Sequence, residues 1–157
     1  MAKLLGLLVG TLVAKAGFAG VSNFLKDGSD HILVRDNVVF LNTNVIGDTV
    51  SLGFFKSTAL ISPTAKVWFD AFGAAVKMNI GDVAHPTGLA NQIDVSAAGN
   101  ADLWKGFTAA SMGIPLWKAL GYGADPGGVI ELLGTIAGAN VVNNNVNFAW
   151  QIAGINR

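Results

Sequence analysis

Asn147-Phe148-Ala149-Trp150-Gln151-Ile152 sets Phe148, Trp150 and Ile152 on one side of an extended chain and Asn147, Ala149 and Gln151 on the other. Alternation with a period of two is the pattern of a strand with one face in a core. Lys66-Val67-Trp68-Phe69-Asp70-Ala71-Phe72 repeats the pattern imperfectly, because Trp68 faces away from Val67 and Phe69. A strand apolar on both faces would bury one in the core and the other against a partner. Outward from these two stretches, strand-sized apolar runs lie at 31–35, 38–41, 49–55, 75–80, 92–95 and 129–137, with the quoted pair extending over 66–72 and 145–152. Turn residues separate them: Asp36-Asn37, Gly47-Asp48, Ser62-Pro63, Gly73, Gly81-Asp82 and Asn143-Asn144. Short runs at this spacing, with little sustained helical periodicity, predict a single-domain, all-β, antiparallel sandwich or jelly roll.

Residues 102–122 break the pattern. Leu103, Trp104 and Phe107 could begin a helix that Pro115 restricts, and Pro115 to Gly121 reads as one helical turn closed by a glycine. The stretch is expected to be a long connection carrying short helical pieces.

The composition fits one domain, part of whose apolar surface is covered by other chains. At 157 residues one core can bury roughly 70% of the unfolded surface. Charged residues are 13% against about 25% in ordinary soluble domains, and apolar residues reach 52% before the 20 glycines are counted. One core cannot hide that much apolar surface, which points to obligate contacts with neighbouring chains. Ten basic and ten acidic residues cancel without clustering, so no stripe tracks a phosphate backbone and direct nucleic-acid binding is not expected. Thirteen asparagines and a single glutamate, Glu131, lean further toward turns and strands.

Residues 1–30 stand apart. The apolar run from Leu4 to Ala14 is too short for a spanning helix, which needs about 20 residues. A signal peptide would need cleavage at Ala14-Lys15-Ala16, where the lysine fits poorly. Gly6, Gly10, Gly17 and Gly20 interrupt any helix. The segment is therefore expected to be an apolar arm or strand used in assembly, preceding a β-sandwich domain over 31–157.

Catalytic chemistry is sparse. There is no cysteine and no nucleophile elbow, and His31 and His85 stand outside any metal or nucleophile pattern. Asp82 and His85 could offer two metal ligands, but a capped turn followed by a loop histidine fits Gly81-Asp82-Val83-Ala84-His85-Pro86 better. Gly121-Tyr122-Gly123-Ala124-Asp125-Pro126-Gly127-Gly128 lacks the Lys-Ser/Thr ending of a phosphate loop and is read as a turn. Asp48, Asp70, Asp82, Asp94 and Asp102 could hide a glycosidase pair, although aspartates at strand ends explain them equally well. Trp68, Trp104, Trp117 and Trp150 could form a sugar-stacking platform, although core or interface roles are commoner for such residues. The expectation is no enzyme, no cofactor, no metal and no catalytic residue.

Pro115-Leu116-Trp117-Lys118-Ala119-Leu120-Gly121-Tyr122, then Ala124 to Gly128 and Val129-Ile130-Glu131-Leu132, resembles the C-terminal part of cement (decoration) proteins of tailed bacteriophages. Ile80-Gly81-Asp82 with Pro86-Thr87-Gly88-Leu89, and the strand Asp48 to Gly53, are similar to the same group, so the likeness covers roughly residues 45–152. The resemblance implies a jelly roll forming homo-oligomers, dimers or trimers. It places them on the capsid surface of the virion, bridging major capsid protein subunits, with no membrane involved. A secreted carbohydrate-binding module, or a tail or head-fibre subunit, would also suit the composition.

Overall fold

The computed structural model describes residues 3–5 and 31–156. Ten strands are assigned: β1 (Lys3–Leu5), β2 (His31–Phe40), β3 (Thr49–Lys56), β4 (Leu60–Ile61), β5 (Lys66–Phe69), β6 (Lys77–Gly81), β7 (Ala90–Asp94), β8 (Gly99–Asp102), β9 (Val129–Ala137) and β10 (Val146–Ile155). Among the described residues one helix, α1 (Leu116–Leu120), follows a 3-10 turn at Ala109–Ser111. The strands form two sheets, ordered β1-β3-β9-β6-β7 and β2-β10-β5-β8, with β4 also pairing with β10.

The pairing is nested. Leaving out β1 and β4, the first of eight strands pairs with the last (β2 with β10) and the second with the seventh (β3 with β9). The third pairs with the sixth (β5 with β8) and the fourth with the fifth (β6 with β7), every pair antiparallel. A long hairpin wrapped over itself gives this order, so the sandwich is a jelly roll. Folding a hairpin this way brings the connections β2–β3, β5–β6, β7–β8 and β9–β10 to one end, and β3–β5, β6–β7 and β8–β9 to the other.

The inner faces carry the apolar alternation that the sequence shows. Phe148, Trp150 and Ile152 of β10 are buried, as are Val67 and Phe69 of β5. Phe40, Phe72 and Phe148 meet with ring centroids 5.0 to 6.3 Å apart, tilted or edge-on as ring quadrupoles favour. Val50, Leu52, Met78, Ile80, Leu132 and Ile136 are among the opposing sheet's contributions. Each such side chain contributes about 1.5–3 kcal/mol by leaving water.

One hydrogen bond ties the sheets together. The β3–β9 register shifts between Ser51 and Gly53, so Leu52 is the extra residue of a bulge, and Gly53 takes φ +137°, which suits glycine. The buried indole Nε1 of Trp150 donates to the Leu52 carbonyl at 2.9 Å, joining β10 to β3 across the core.

Several sequence expectations are corrected. Asp36-Asn37 is no turn: β2 runs through it, held by an unbroken ladder from His31↔Ile155 to Phe40↔Val146. That ladder outweighs the local turn preference of two residues. β5 stops at Phe69, where Asp70 donates its backbone N–H to the Asn147 carbonyl, and β6 begins at Lys77 and not at Ala75, whose φ is +62°. β4 and β8 are additional strands. The expected assembly arm lies outside the described residues except for Lys3–Leu5, which pairs in parallel with Thr49, Val50 and Ser51 at the edge of β3.

The 102–122 connection carries short helical pieces, as expected. Pro115 is the N-cap of α1, and Gly121 closes it at φ +104°. The first two free N–H groups of the helix donate to the connection after β3, Leu116 to the Ala59 carbonyl at 2.7 Å and Trp117 to Ser57 at 3.0 Å.

Candidate assembly interface

The aspartates that could have formed a catalytic pair are each engaged locally. Asp48 is buried and caps its own turn, accepting the Val45 N–H and the Asn44 side-chain amide at 3.1 Å. Asp70 accepts the backbone and side-chain N–H groups of Asn147, which hold its carboxyl below the usual range. Asp94 pairs with Lys77 at 2.7 Å and is lowered by that contact and by Ser96. Asp102 pairs with Lys66 at 3.0 Å. A glycosidase acid needs a raised pKa, and the shifts of Asp70 and Asp94 run the other way. Among the described residues, no group of three or more His, Asp or Glu side chains could hold a metal ion.

Asp82 and His85 do meet, as the sequence suggests, in a capped turn. Asp82 Oδ1 accepts the His85 backbone N–H at 2.6 Å, and the Asp82 N–H donates to the His85 carbonyl at 3.1 Å. The turn is tight enough that a Cβ on Gly81 would lie 2.0 Å from the His85 carbonyl oxygen. Tyr122, from the glycine-rich loop, donates its hydroxyl to Asp82 Oδ2 at 2.5 Å and stacks edge-on against the His85 ring at 4.2 Å. The 81–86 turn and the glycine-rich 121–128 loop are thus one packed unit at the β6–β7 end of the sandwich. The hydrogen bond to Asp82, with desolvation, pushes the Tyr122 hydroxyl up to about 12.

A raised tyrosine pKa has a definite consequence for stability. Above pH 10 the unfolded chain loses the Tyr122 proton while the folded chain keeps it, so stability falls between about pH 10 and 12. Tyr122→Phe should remove this contribution to the alkaline decline. At neutral pH it should cost about 1–3 kcal/mol, because the buried Asp82 carboxylate loses a donor. Urea denaturation of both forms at pH 8 and pH 11 checks it. Equal loss of stability in both across that interval would contradict the assigned bond.

The tryptophans divide. Trp104 and Trp150 are buried and Trp117 packs against the core, while Trp68 is 40% exposed on the outer face of its sheet. No four-tryptophan platform exists.

The other end of the sandwich has a different character. Its connections, 41–48, 70–76, 95–98 and 138–145, contain no lysine, arginine or glutamate, and their two aspartates, Asp48 and Asp70, are engaged as described. Leu41, Val45, Ile46 and Val142 are exposed there, Ile46 at 52% and Val142 at 63%. The backbone beneath them is held. Ile46 N–H donates to Asn140 Oδ1 at 2.9 Å, Val141 N–H to the Asn44 carbonyl at 3.1 Å and Val142 N–H to the Phe72 carbonyl at 3.0 Å. Asn143 Nδ2 adds a bond to the Ala71 carbonyl at 2.8 Å. Asparagine side chains therefore fasten three connections into one frame that presents apolar groups outward. A surface ordered beforehand loses little freedom on binding. The opposite end also exposes Val83, Met112 and Val129, but among Lys105, Lys118 and Asp125. Sequence reading could not find this rim, because loop pairing alone decides which apolar side chains face solvent. No helix among the described residues is long and apolar enough to cross a membrane.

No protein-family model matches this sequence, and no curated protein matches it. Solved structures do. A chain of the structure described as the cyanophage Pam1 capsid asymmetric unit aligns with a TM-score of 0.55 at 12% identity, covering 82% of this chain and 87% of that one. A chain in the capsid of Ralstonia phage GP4 aligns with a TM-score of 0.58 at 15% identity, covering 83% of this chain and 88% of that one. At these identities the likeness shows a shared fold: the two-sheet jelly roll of this chain is a fold also found in chains of solved phage capsids.

Proposed function

We propose that this chain is a structural virion protein that binds the outside of an assembled icosahedral capsid and stabilises it by bridging major capsid protein subunits. The observation that carries the reading is the fold shared, over four fifths of the chain, with chains from two phage capsid structures. The low charge, the apolar surplus and the fastened apolar rim support it, since all three suit a subunit that works in permanent contact with others. The reading carries no catalytic role, no cofactor, no nucleic acid and no membrane. The partners are the major capsid protein and further copies of this chain, as a dimer or trimer.

Such a protein stabilises by mass action, because it binds the assembled shell and not its separated subunits. Repeated copies on a symmetric lattice add through multivalency. Co-sedimentation of the purified chain with heads assembled without it tests the reading: saturable binding supports it, and absence of binding rejects it. Residues 1–30 are assigned the role of an assembly arm. Deleting residues 1–26 should abolish self-association in analytical ultracentrifugation while circular dichroism still reports a folded β-protein. An unchanged oligomeric state would remove the arm from the account.

A further inference from the structure

The outer face of the β2-β10-β5-β8 sheet carries a feature distinct in chemistry from the apolar rim. In register across its four strands stand Asn37, Ala149, Trp68 and Asn100. One row away stand Arg35, Gln151, Lys66 and Asp102, and on the other side Val39 faces Asn147. With strands about 4.8 Å apart, the central row spans roughly 14 Å. Ala149 is the small residue in it, and a shallow depression of about 570 Å³ opens there, lined by Trp68, Asn37, Arg35, Asn147 and Gln151.

We propose that this depression is a binding site for a neutral oligosaccharide of hexopyranose units. A 40% exposed indole beside a gap one strand wide supplies the apolar aromatic surface on which the C–H side of a sugar ring stacks. Around it stand the amides of Asn37, Asn147 and Gln151, which donate and accept and so match hydroxyls, and the guanidinium of Arg35, which donates only. Formal charges of both signs stand on the face: Lys66 pairs with Asp102 at 3.0 Å, Arg35 and Asp36 line the depression together, and Asp70 Oδ2 accepts from the Asn147 amide at 2.7 Å. A nucleic-acid backbone would need a cationic stripe that the sequence lacks. The apolar rim is a separate surface of different chemistry, and the proposal does not rest on the capsid reading.

The test titrates the full chain with cellohexaose, laminarihexaose, maltohexaose and mannohexaose, with hyaluronan hexasaccharide as the acidic control, by calorimetry and tryptophan emission. At least one neutral hexasaccharide should bind and perturb the emission. Trp68→Ala should weaken it roughly tenfold or more. Ala149→Leu, which fills the depression and leaves Trp68 in place, should weaken it as well. Both substitutions lie on the outer face, so unchanged melting temperatures show that the fold survives. Binding by none of the neutral hexasaccharides, binding by hyaluronan alone, or equal binding by Trp68→Ala would each overturn the proposal. Loss of head binding in Trp68→Ala without any glycan binding would also overturn it and assign the face to a protein partner.

Discussion

The double variant Ile46→Asp with Val142→Asp is expected to fold normally and to bind capsid heads at least roughly a hundredfold more weakly than the parent chain. Both side chains are more than half exposed, so neither supports the core, and surface changes of this kind usually stay within about 0.5 kcal/mol of stability. In a desolvated contact the balance reverses. Each aspartate would replace an apolar anchor with a charge that has no partner, and anchors near the centre of an interface cost about 2 kcal/mol or more each when lost. Two such losses exceed the roughly 2.8 kcal/mol that separates hundredfold affinities. Asn140→Ala is a useful companion, because it removes the acceptor of the Ile46 N–H and loosens the frame without adding charge. It should weaken binding less than the double variant. Full binding by the double variant would move the contact surface away from the rim.

The largest effect on stability is expected at Trp150. It is among the largest fully buried side chains and supplies the bond between the sheets. Trp150→Ala should cost about 3–5 kcal/mol, a large share of the roughly 5–15 kcal/mol by which a domain is stable. Trp150→Phe separates the two contributions. It keeps most of the apolar volume but leaves the Leu52 carbonyl without its indole donor, which should cost about 1–3 kcal/mol. Urea denaturation gives both values. A Trp150→Phe protein within about 0.5 kcal/mol of the parent would show that the bulge carbonyl finds another partner.

How much of this was legible in the sequence varied with the physics. The strand expected over 129–137 has those bounds in the structure, because its apolar run is bracketed by glycines. The alternation of 147–152 identified the inner face of β10 correctly. β8 was invisible: Gly99, Asn100, Ala101 and Asp102 have no strand propensity, and they are extended because β5 offers an edge to pair with. The Asp36-Asn37 turn was misread for the converse reason, since a local preference yields to a ten-residue ladder. The Asp82 turn and the helical turn at Pro115 were readable as local chemistry. Their meeting through Tyr122, 40 residues downstream, was not. The rim was hidden in the same way. Its apolar residues occur in plain view, but the hydrogen bond from the Ile46 N–H to Asn140 Oδ1 that helps hold them outward joins connections nearly a hundred residues apart.

The central claim, that this chain strengthens an assembled shell from outside, is tested most directly by the breakage of heads. Expanded heads lacking the chain would be mixed with increasing amounts of the purified protein, and the temperature of DNA release followed by dye fluorescence. The account predicts a release temperature that rises with added protein and levels off when the sites are filled. A release temperature that stays at the value of bare heads throughout the titration would contradict it.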